Sequence, residues 1–312
     1  MKNCVIIANC QQGPLKFLLR SLDQFNRSYK LIDIAHVHTW SAQDVNSFTG
    51  IYESADLILS QPIFDNYFGL AKTQLLLEYN NKARKIPIIM FPNIDFIGFF
   101  PFSIRIPIRP ERVFSPEAQC GIIFWSFING YDEIRASEFC AEFYNDDSHS
   151  ELYRTIYSLA LQRLETTEMM FRMDANVSYL FRNKYMDEKL MHNRWHPSNT
   201  VYTFIASRIL GALGVYENVT APKREFTIQD EMPIAGAVKK ALGIKFDDDD
   251  CFYNLGVLQS MPEYISTVYS FYGQNMPTVE ATAKMSEKKL KIIDKVIKRN
   301  YDRNEIMPLF HW

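Results

Sequence analysis

The fold class is indicated by residues 4–19, CVIIANCQQGPLKFLL, because this stretch predicts a buried strand followed at once by a helix. Cys4–Ala8 is a continuous apolar run of strand length, which is typical of a strand covered on both faces. Pro14 suits the first turn of a helix, and leucines then recur at helical spacing. This order of elements favours a parallel sheet flanked by helices.

Further apolar segments and helical patterns alternate along the N-terminal part of the chain. Strands are predicted over Leu31–Val37, Asp56–Leu59 and Pro87–Phe91, and a helix over Thr73–Tyr79. Strands that alternate with helices indicate an α/β fold, in which a parallel sheet has helices on both faces.

The pattern becomes mainly helical further along the chain. Helices are predicted over Tyr131–Tyr144, Glu151–Thr167, Met169–Tyr185, Asn199–Leu213 and Val279–Lys298. We therefore expect two domains. Residues 1–214 would form an α/β catalytic core, and residues 215–312 a mainly helical C-terminal extension packed on that core.

The composition excludes several classes of protein. With 47% hydrophobic residues, the chain of 312 residues is not largely disordered. A net charge of −2 offers no basic surplus, so we expect no nucleic-acid partner. No apolar run is long enough for a transmembrane segment. Five cysteines without paired spacing, and no signal peptide, indicate a cytoplasmic protein.

Cys10 is the first candidate for chemistry, since it follows the first strand directly before a helix. Ligands of parallel sheets bind beyond the carboxyl ends of strands, and a helix N-terminus favours a thiolate. We therefore expect Cys10 to be a nucleophile. The amides of Asn9, Gln11 and Gln12 are expected to bind an oxyanion or substrate, and Gly13 to permit a tight turn. The alternative is that Cys10 is a small core residue.

His196 is the second candidate, in the sequence WHPSN of residues 195–199, directly before a helical pattern. Pro197 biases His196 toward an extended conformation, and either Ser198 or Asn199 is expected to cap the helix. A histidine in such a loop is suited to act as a general base toward Cys10. Asn193 is expected to orient its ring, as an amide does in Cys–His–Asn enzymes. The alternative is an ordinary histidine packed beside the helix cap.

Polar residues after two other predicted strands are further candidates for binding. Ser60 and Gln61 follow one apolar run and Asn93 follows another, so we expect them near the cleft of Cys10. The alternative for each is ordinary turn chemistry. Cysteines and histidines do not cluster at ligand spacing, so no metal is expected.

The sequence Asn-Cys-Gln of Asn9–Gln11 and the sequence His-Pro-Ser of His196–Ser198 resemble WcbI-type polysaccharide-biosynthesis acetyltransferases, over about residues 3–214. The stretch after the histidine is also similar to SGNH/GDSL-type hydrolases, whose fold that family is thought to share. Those hydrolases have a serine where this chain has Cys10 and an aspartate where it has Asn193. The resemblance implies an SGNH-like three-layer core, coenzyme A binding and acetyl transfer to a sugar.

The main hypothesis is a cytoplasmic O-acetyltransferase with acetyl-CoA as donor and a sugar of a capsular or other surface polysaccharide as acceptor. His196 would deprotonate Cys10 or share an ion pair with it, and the thiolate would attack the thioester. In a direct-transfer variant, His196 activates the hydroxyl and Cys10 helps to hold the donor. The alternatives are an esterase or thioesterase on the same scaffold, and a non-catalytic protein that binds coenzyme A or a glycan. Peripheral association with a polysaccharide assembly complex is a further expectation.

Overall fold

The computed structural model of the chain describes residues 1–41, 50, 53–63, 85–106, 119–226, 230–248, 251–254 and 256–299. The helix predicted over Thr73–Tyr79 lies outside these residues. Within them, no helix is both long and apolar enough to cross a lipid bilayer.

A four-stranded parallel sheet carries the N-terminal part of the chain, which confirms the predicted α/β class. Its strands are β1 (Lys2–Ile7), β2 (Tyr29–Ile32), β3 (Leu57–Ser60) and β4 (Ile88–Met90). The order in the sheet is β2-β1-β3-β4, so β1 is a central strand. Cys4 pairs with Leu31 on one side and with Leu57 on the other. The apolar run of β1 is buried because both of its edges and both of its faces are covered.

The second strand begins earlier and ends earlier than the prediction for Leu31–Val37. After Ile32 the chain leaves the sheet, and Val37 begins a short 3-10 turn instead. The Val37 N–H donates to the Ala8 carbonyl at 3.0 Å, and the Val37 side chain packs in a cluster with Val5 and Ile7. Packing of a turn against β1, and not strand pairing, therefore buries these apolar residues.

The helices in chain order are α1 (Gln12–Arg20), α2 (Asp23–Ser28), α3 (Gly121–Ile128), α4 (Glu133–Asn145), α5 (Ser150–Met170), α6 (Ser178–Lys184), α7 (Asn199–Ala212), α8 (Gly236–Leu242), α9 (Met261–Gln274), α10 (Met276–Met285) and α11 (Glu287–Ile297). Two antiparallel sheets that the sequence did not predict accompany them: β5 (Ser103–Ile104) with β6 (Gln119–Cys120), and β7 (Asp230–Glu231) with β8 (Phe252–Asn254) and β9 (Val257–Gln259).

Two of the predicted helices are wrong in their extent. The segment Met169–Tyr185 is not one helix, because the chain turns at Arg172, whose φ is +48°. The Glu168 carboxylate then accepts the N–H groups of Val177 and Ser178 at the start of the next helix, at 2.5 and 2.9 Å. The C-terminal helix is likewise divided, into α10 and α11.

Contacts between Cα atoms divide the chain into two compact units. The first unit is made of Met1–Ile94, Arg163–Arg182 and Ser198–Phe226, and it holds the parallel sheet with α1 packed against α7. The second unit is made of Asp95–Gln162, Asn183–Pro197 and Thr227–Trp312. The predicted core 1–214 and extension 215–312 stay a prediction.

Candidate functional site

Cys10 lies just beyond the carboxyl end of β1, two residues before α1 begins. Its side chain is exposed, whereas Cys4, Cys120 and Cys140 are buried and Cys251 is half-buried. The Cys10 position therefore combines solvent access with the strand-end location at which parallel sheets bind ligands. Burial raises the pKa of Cys4 to about 12, which leaves that thiol protonated and inert.

The side-chain amides of Asn9, Gln11, Gln61 and Asn93 form two hydrogen-bonded pairs beside Cys10, which backbone N–H groups join into one group, here called the amide belt. Asn9 Nδ2 donates to Asn93 Oδ1 at 2.9 Å, and Gln61 Nε2 donates to Gln11 Oε1 at 2.8 Å. The Asn9 backbone N–H donates to Gln61 Oε1 at 3.1 Å. Three strand ends thus meet at the residues that the sequence proposed for binding.

Backbone carbonyls hold the amides of Gln11 and Gln12 in place. Gln11 Nε2 donates to the Ile94 carbonyl at 3.0 Å, and Gln12 Nε2 to the Ile6 carbonyl at 2.5 Å. Asn9 Oδ1 in turn accepts the Gln11 N–H at 2.9 Å. These amides therefore shape the loop that carries Cys10, and their predicted role toward an oxyanion stays a prediction.

Gly13 and Ser60 have ordinary structural positions. Gly13 lies inside α1, its φ is not positive, and a Cβ atom at this position would meet nothing within 4 Å. The predicted tight turn is present, since the Gly13 N–H donates to the Cys10 carbonyl at 3.3 Å, but it does not require a glycine at position 13. Ser60 is buried at the end of β3, and its hydroxyl donates to the Gln61 carbonyl at 3.0 Å. That contact agrees with the turn chemistry considered as the alternative for this residue.

Tyr202 is a neighbour of Cys10 that sequence reasoning missed. It is buried in α7, and its hydroxyl makes no hydrogen bond with the described residues. The pKa of the Tyr202 phenol is raised mainly by burial, and to a smaller extent by the charges of Cys10 and Glu225. In the sequence, Tyr202 sits within an apolar helical stripe, so only its unused hydroxyl distinguishes it from core.

The start of α7 is capped differently from the prediction. Ser198 is the N-cap residue, but its hydroxyl makes no capping bond. The Glu225 carboxylate accepts the Asn199 N–H at 2.7 Å instead, and the Asn199 amide donates to the carbonyls of Pro222 and Arg224. A carboxylate from a distant part of the sequence thus satisfies the helix N-terminus.

Residues 191–197 form a closed loop that contains His196, and the two end residues pair in an antiparallel bridge. The His192 N–H donates to the His196 carbonyl at 2.8 Å. Asn193 is fully buried in this loop, and its Oδ1 accepts the N–H groups of Trp195 and His196 at 2.9 and 3.0 Å. Asn193 Nδ2 lies 2.8 Å from His196 Nδ1, so the amide holds both the backbone and the ring.

Arg194 fastens the same loop to a second segment of the chain. Its guanidinium pairs with both carboxylate oxygens of Asp95, and its carbonyl accepts the Phe96 N–H at 2.9 Å. Lys289, from α11, donates to the Ser103 carbonyl at 2.8 Å. Burial and the Arg194 charge lower the pKa of Lys289 to about 7, against the opposing effect of Asp95.

Cys10 and His196 belong to different compact units, and their pairing stays a prediction. Asn193 and His196 are in contact, as are the four residues of the amide belt. Over the part of the chain that the structure describes, no group of three or more His, Cys, Asp and Glu side chains is arranged to hold a metal ion.

Comparison with known proteins identifies the family. A family profile described as "Polysaccharide biosynthesis enzyme WcbI" matches residues 3–218. A search of curated proteins found no match. One similar solved structure is described as WcbI, a novel polysaccharide biosynthesis enzyme, as native protein without a disulfide bond between coenzyme A and a cysteine. It has a TM-score of 0.74 and 16% identity, and the match covers 96% of this chain and 99% of that chain. That identity shows the fold alone, but the profile covers more than half of the sequence, and the chain therefore belongs to the WcbI family of polysaccharide biosynthesis enzymes.

Proposed function

We propose that this protein is an acetyl-CoA-dependent O-acetyltransferase that modifies a sugar hydroxyl of a capsular or other surface polysaccharide. The observation that carries the proposal is the exposed Cys10 at the end of a central strand, beside the amide belt, in a member of the WcbI family. The description of the similar solved structure, which names coenzyme A together with a cysteine, supports coenzyme A as the ligand.

The proposed reaction transfers acetyl from sulfur to oxygen. Either the Cys10 thiolate attacks the thioester carbonyl and coenzyme A leaves, or the sugar hydroxyl attacks directly while Cys10 helps to hold the donor. In the first route the sugar hydroxyl then attacks acetyl-Cys10, the new C–O bond replaces the C–S bond of Cys10, and the Cys10 thiol regains from the hydroxyl the proton that left with coenzyme A. In the second route the new C–O bond replaces the C–S bond of acetyl-CoA, and the hydroxyl proton ends on the thiol of coenzyme A. We propose that the His196 imidazole, which Asn193 contacts at Nδ1, interacts with the reacting groups.

We further propose an SGNH-like arrangement of the core, a cytoplasmic site of action, and peripheral association with a polysaccharide assembly complex. The parallel sheet with flanking helices supports the first proposal. Acetyl-CoA as donor supports the second, because the donor must be available where the enzyme acts.

Native mass spectrometry of freshly purified protein is the first test. We expect a population heavier by the mass of coenzyme A, and reduction will release any fraction bound through a disulfide to Cys10. The Cys10→Ala variant will lack the reducible fraction. Protein that neither carries coenzyme A nor binds added acetyl-CoA would contradict the proposal.

Thiol release from acetyl-CoA separates transfer from hydrolysis. We expect slow release from the protein with acetyl-CoA alone and faster release when surface glycan fragments are added. Fast release without any glycan would identify a thioesterase. Binding without release under either condition would identify a non-catalytic binding protein.

A further inference from the structure

We propose that Asn193 holds neutral His196 with its proton on Nε2, so that His196 acts as a hydrogen-bond donor and not as a general base. The proposal starts from the orientation of one buried amide. That orientation determines which ring nitrogen of His196 carries the proton.

The orientation of the Asn193 amide is set by the backbone. One end of the amide lies 2.9 Å from the Trp195 nitrogen and 3.0 Å from the His196 nitrogen, both of which carry hydrogen. Only the carbonyl oxygen can accept two N–H groups, so Oδ1 must be at that end. The NH₂ group is therefore at the other end, 2.8 Å from His196 Nδ1.

The reverse orientation of the Asn193 amide makes fewer hydrogen bonds. It would place NH₂ hydrogens against two backbone N–H groups, losing two hydrogen bonds in order to retain one to the ring. Asn193 is 0% exposed, so water cannot replace the lost bonds. The network thus assigns the amide without reference to any function.

The ring tautomer follows from the amide. Because Asn193 Nδ2 can only donate, His196 Nδ1 must present its lone pair to it. A neutral imidazole carries one N–H, so the proton of His196 is on Nε2. A general base needs the opposite arrangement, in which Nε2 carries the lone pair.

The closed loop keeps this arrangement rigid. Its end residues are bridged, the His192 N–H is bonded to the His196 carbonyl, and the Arg194 guanidinium is paired with Asp95. The ring and the amide are three residues apart within that loop, so their contact is local.

His192, four residues away, has the opposite environment and serves as an internal reference. Its Nδ1 lies 3.1 Å from Glu231 Oε2. Burial raises the pKa of Glu231, but the hydrogen bond from His192 and the charge of Lys189 outweigh it, and the net pKa is lowered. An ionised carboxylate only accepts, so His192 must carry a proton on Nδ1.

The consequence for the reaction rests on the proposed function. A His196 that keeps its proton on Nε2 would donate a hydrogen bond to the thioester oxygen as negative charge develops there. Its contribution would then be that of an oxyanion donor, and Asn193 would be a positioning residue that maintains the donor tautomer.

Nitrogen NMR of protein labelled with ¹⁵N-histidine tests the tautomer directly, with His196→Gln used for assignment. We expect a pyridine-like signal for His196 Nδ1, identified by its weak correlation with Hδ2, and an N–H signal at Nε2. For His192, Nδ1 will carry the proton. A lone pair on His196 Nε2 and a proton on Nδ1 would overturn the proposal.

Asn193→Asp is the variant expected to reverse the tautomer of His196. Asn218→Asp, at an exposed position, is the matched charge control. The aspartate still accepts both backbone N–H groups but also accepts from Nδ1, so we expect the proton of the neutral ring to move to Nδ1. Unchanged His192 signals will show that the loop is intact.

Acetyl transfer is then compared at a pH where NMR shows both rings neutral. Loss of the donor should lower turnover by about 10²-fold in Asn193→Asp and leave Asn218→Asp unchanged. Equal or faster turnover in Asn193→Asp would establish His196 as a base and contradict the donor role. If the Nε2–H signal is found but no glycan accepts acetyl, the proposed function fails while the tautomer stands.

Discussion

Cys10 differs from the other four cysteines in both exposure and surroundings. It is exposed and stands before the N-terminus of α1, whereas the others are buried or half-buried. Alkylation depends on access and on the thiolate fraction. We therefore expect iodoacetamide to modify Cys10 before the other cysteines, and coenzyme A to protect it, as measured by peptide mass spectrometry. Equal labelling of all five would contradict an activated thiol.

Replacement of Cys10 tests its part in catalysis. We expect Cys10→Ala to lower turnover of acetyl transfer by about 10²-fold or more, because the nucleophile or donor contact is lost. Cys251→Ser, which changes a half-buried cysteine, is the matched control and should keep the wild-type rate. A Cys10→Ala rate within a few-fold of wild type would remove the thiol from the mechanism.

Two buried tyrosines differ in whether their hydroxyl makes a hydrogen bond with the described residues. Tyr272 donates to Gln119 Oε1 at 2.6 Å, whereas the Tyr202 hydroxyl has no partner among the described residues. Tyr272→Phe should lower the free energy of unfolding by about 1–3 kcal/mol, because it leaves a buried acceptor unsatisfied. Tyr202→Phe should cause no loss in the same urea titration. A comparable loss in Tyr202→Phe would show that its hydroxyl is satisfied in solution.

At the level of elements, helix caps offer a second matched pair. Ser260 begins α9 with a capping box, in which Glu263 Oε2 accepts the Ser260 N–H at 2.8 Å and the Ser260 hydroxyl at 2.7 Å. Ser286 begins α11 without any side-chain capping bond. Ser260→Ala should lower the free energy of unfolding by about 1 kcal/mol, and Ser286→Ala by much less. Equal effects, measured by thermal unfolding, would contradict the assigned caps.

The elements also show what local patterns could predict. The sequence predicted β1 and three of the helices to within a few residues, because the apolar periodicity that marks them is a local pattern. These helices are Glu133–Asn145, Ser150–Met170 and Asn199–Ala212. The end of β2 was not, since a turn packed on β1 buries the same apolar residues as a strand would. The break before α6 depends on the Glu168 carboxylate, which lies nine and ten residues from the two N–H groups it accepts.

For the whole molecule, Lys289 makes stability depend on pH. Its pKa is about 7 in the folded protein, below the usual 10.5, so between these values the unfolded chain binds more protons. The free energy of unfolding contributed by this residue therefore rises with pH through that window. We expect Lys289→Met to be relatively most stabilising at and below pH 7 and to lose that advantage progressively as the pH rises toward 10.5, in urea titrations against wild type.

Lys291→Met is the control for this experiment, because Lys291 lies on the same helix with its side chain exposed and paired with Glu287. It should leave the slope of stability against pH unchanged. A parallel pH dependence for wild type and Lys289→Met would show that Lys289 keeps its ordinary pKa in the folded protein.

Sequence patterns alone predicted the parallel sheet, the position of Cys10 at the end of its first strand, and the loop of Asn193 and His196. Each follows from a pattern of a few consecutive residues. Only the tertiary structure decided that Gln61 and Asn93 join Asn9, and that Arg194 pairs with Asp95 across 99 positions. A buried polar side chain needs a hydrogen-bond partner, but the local sequence around it does not specify which distant residue supplies that partner.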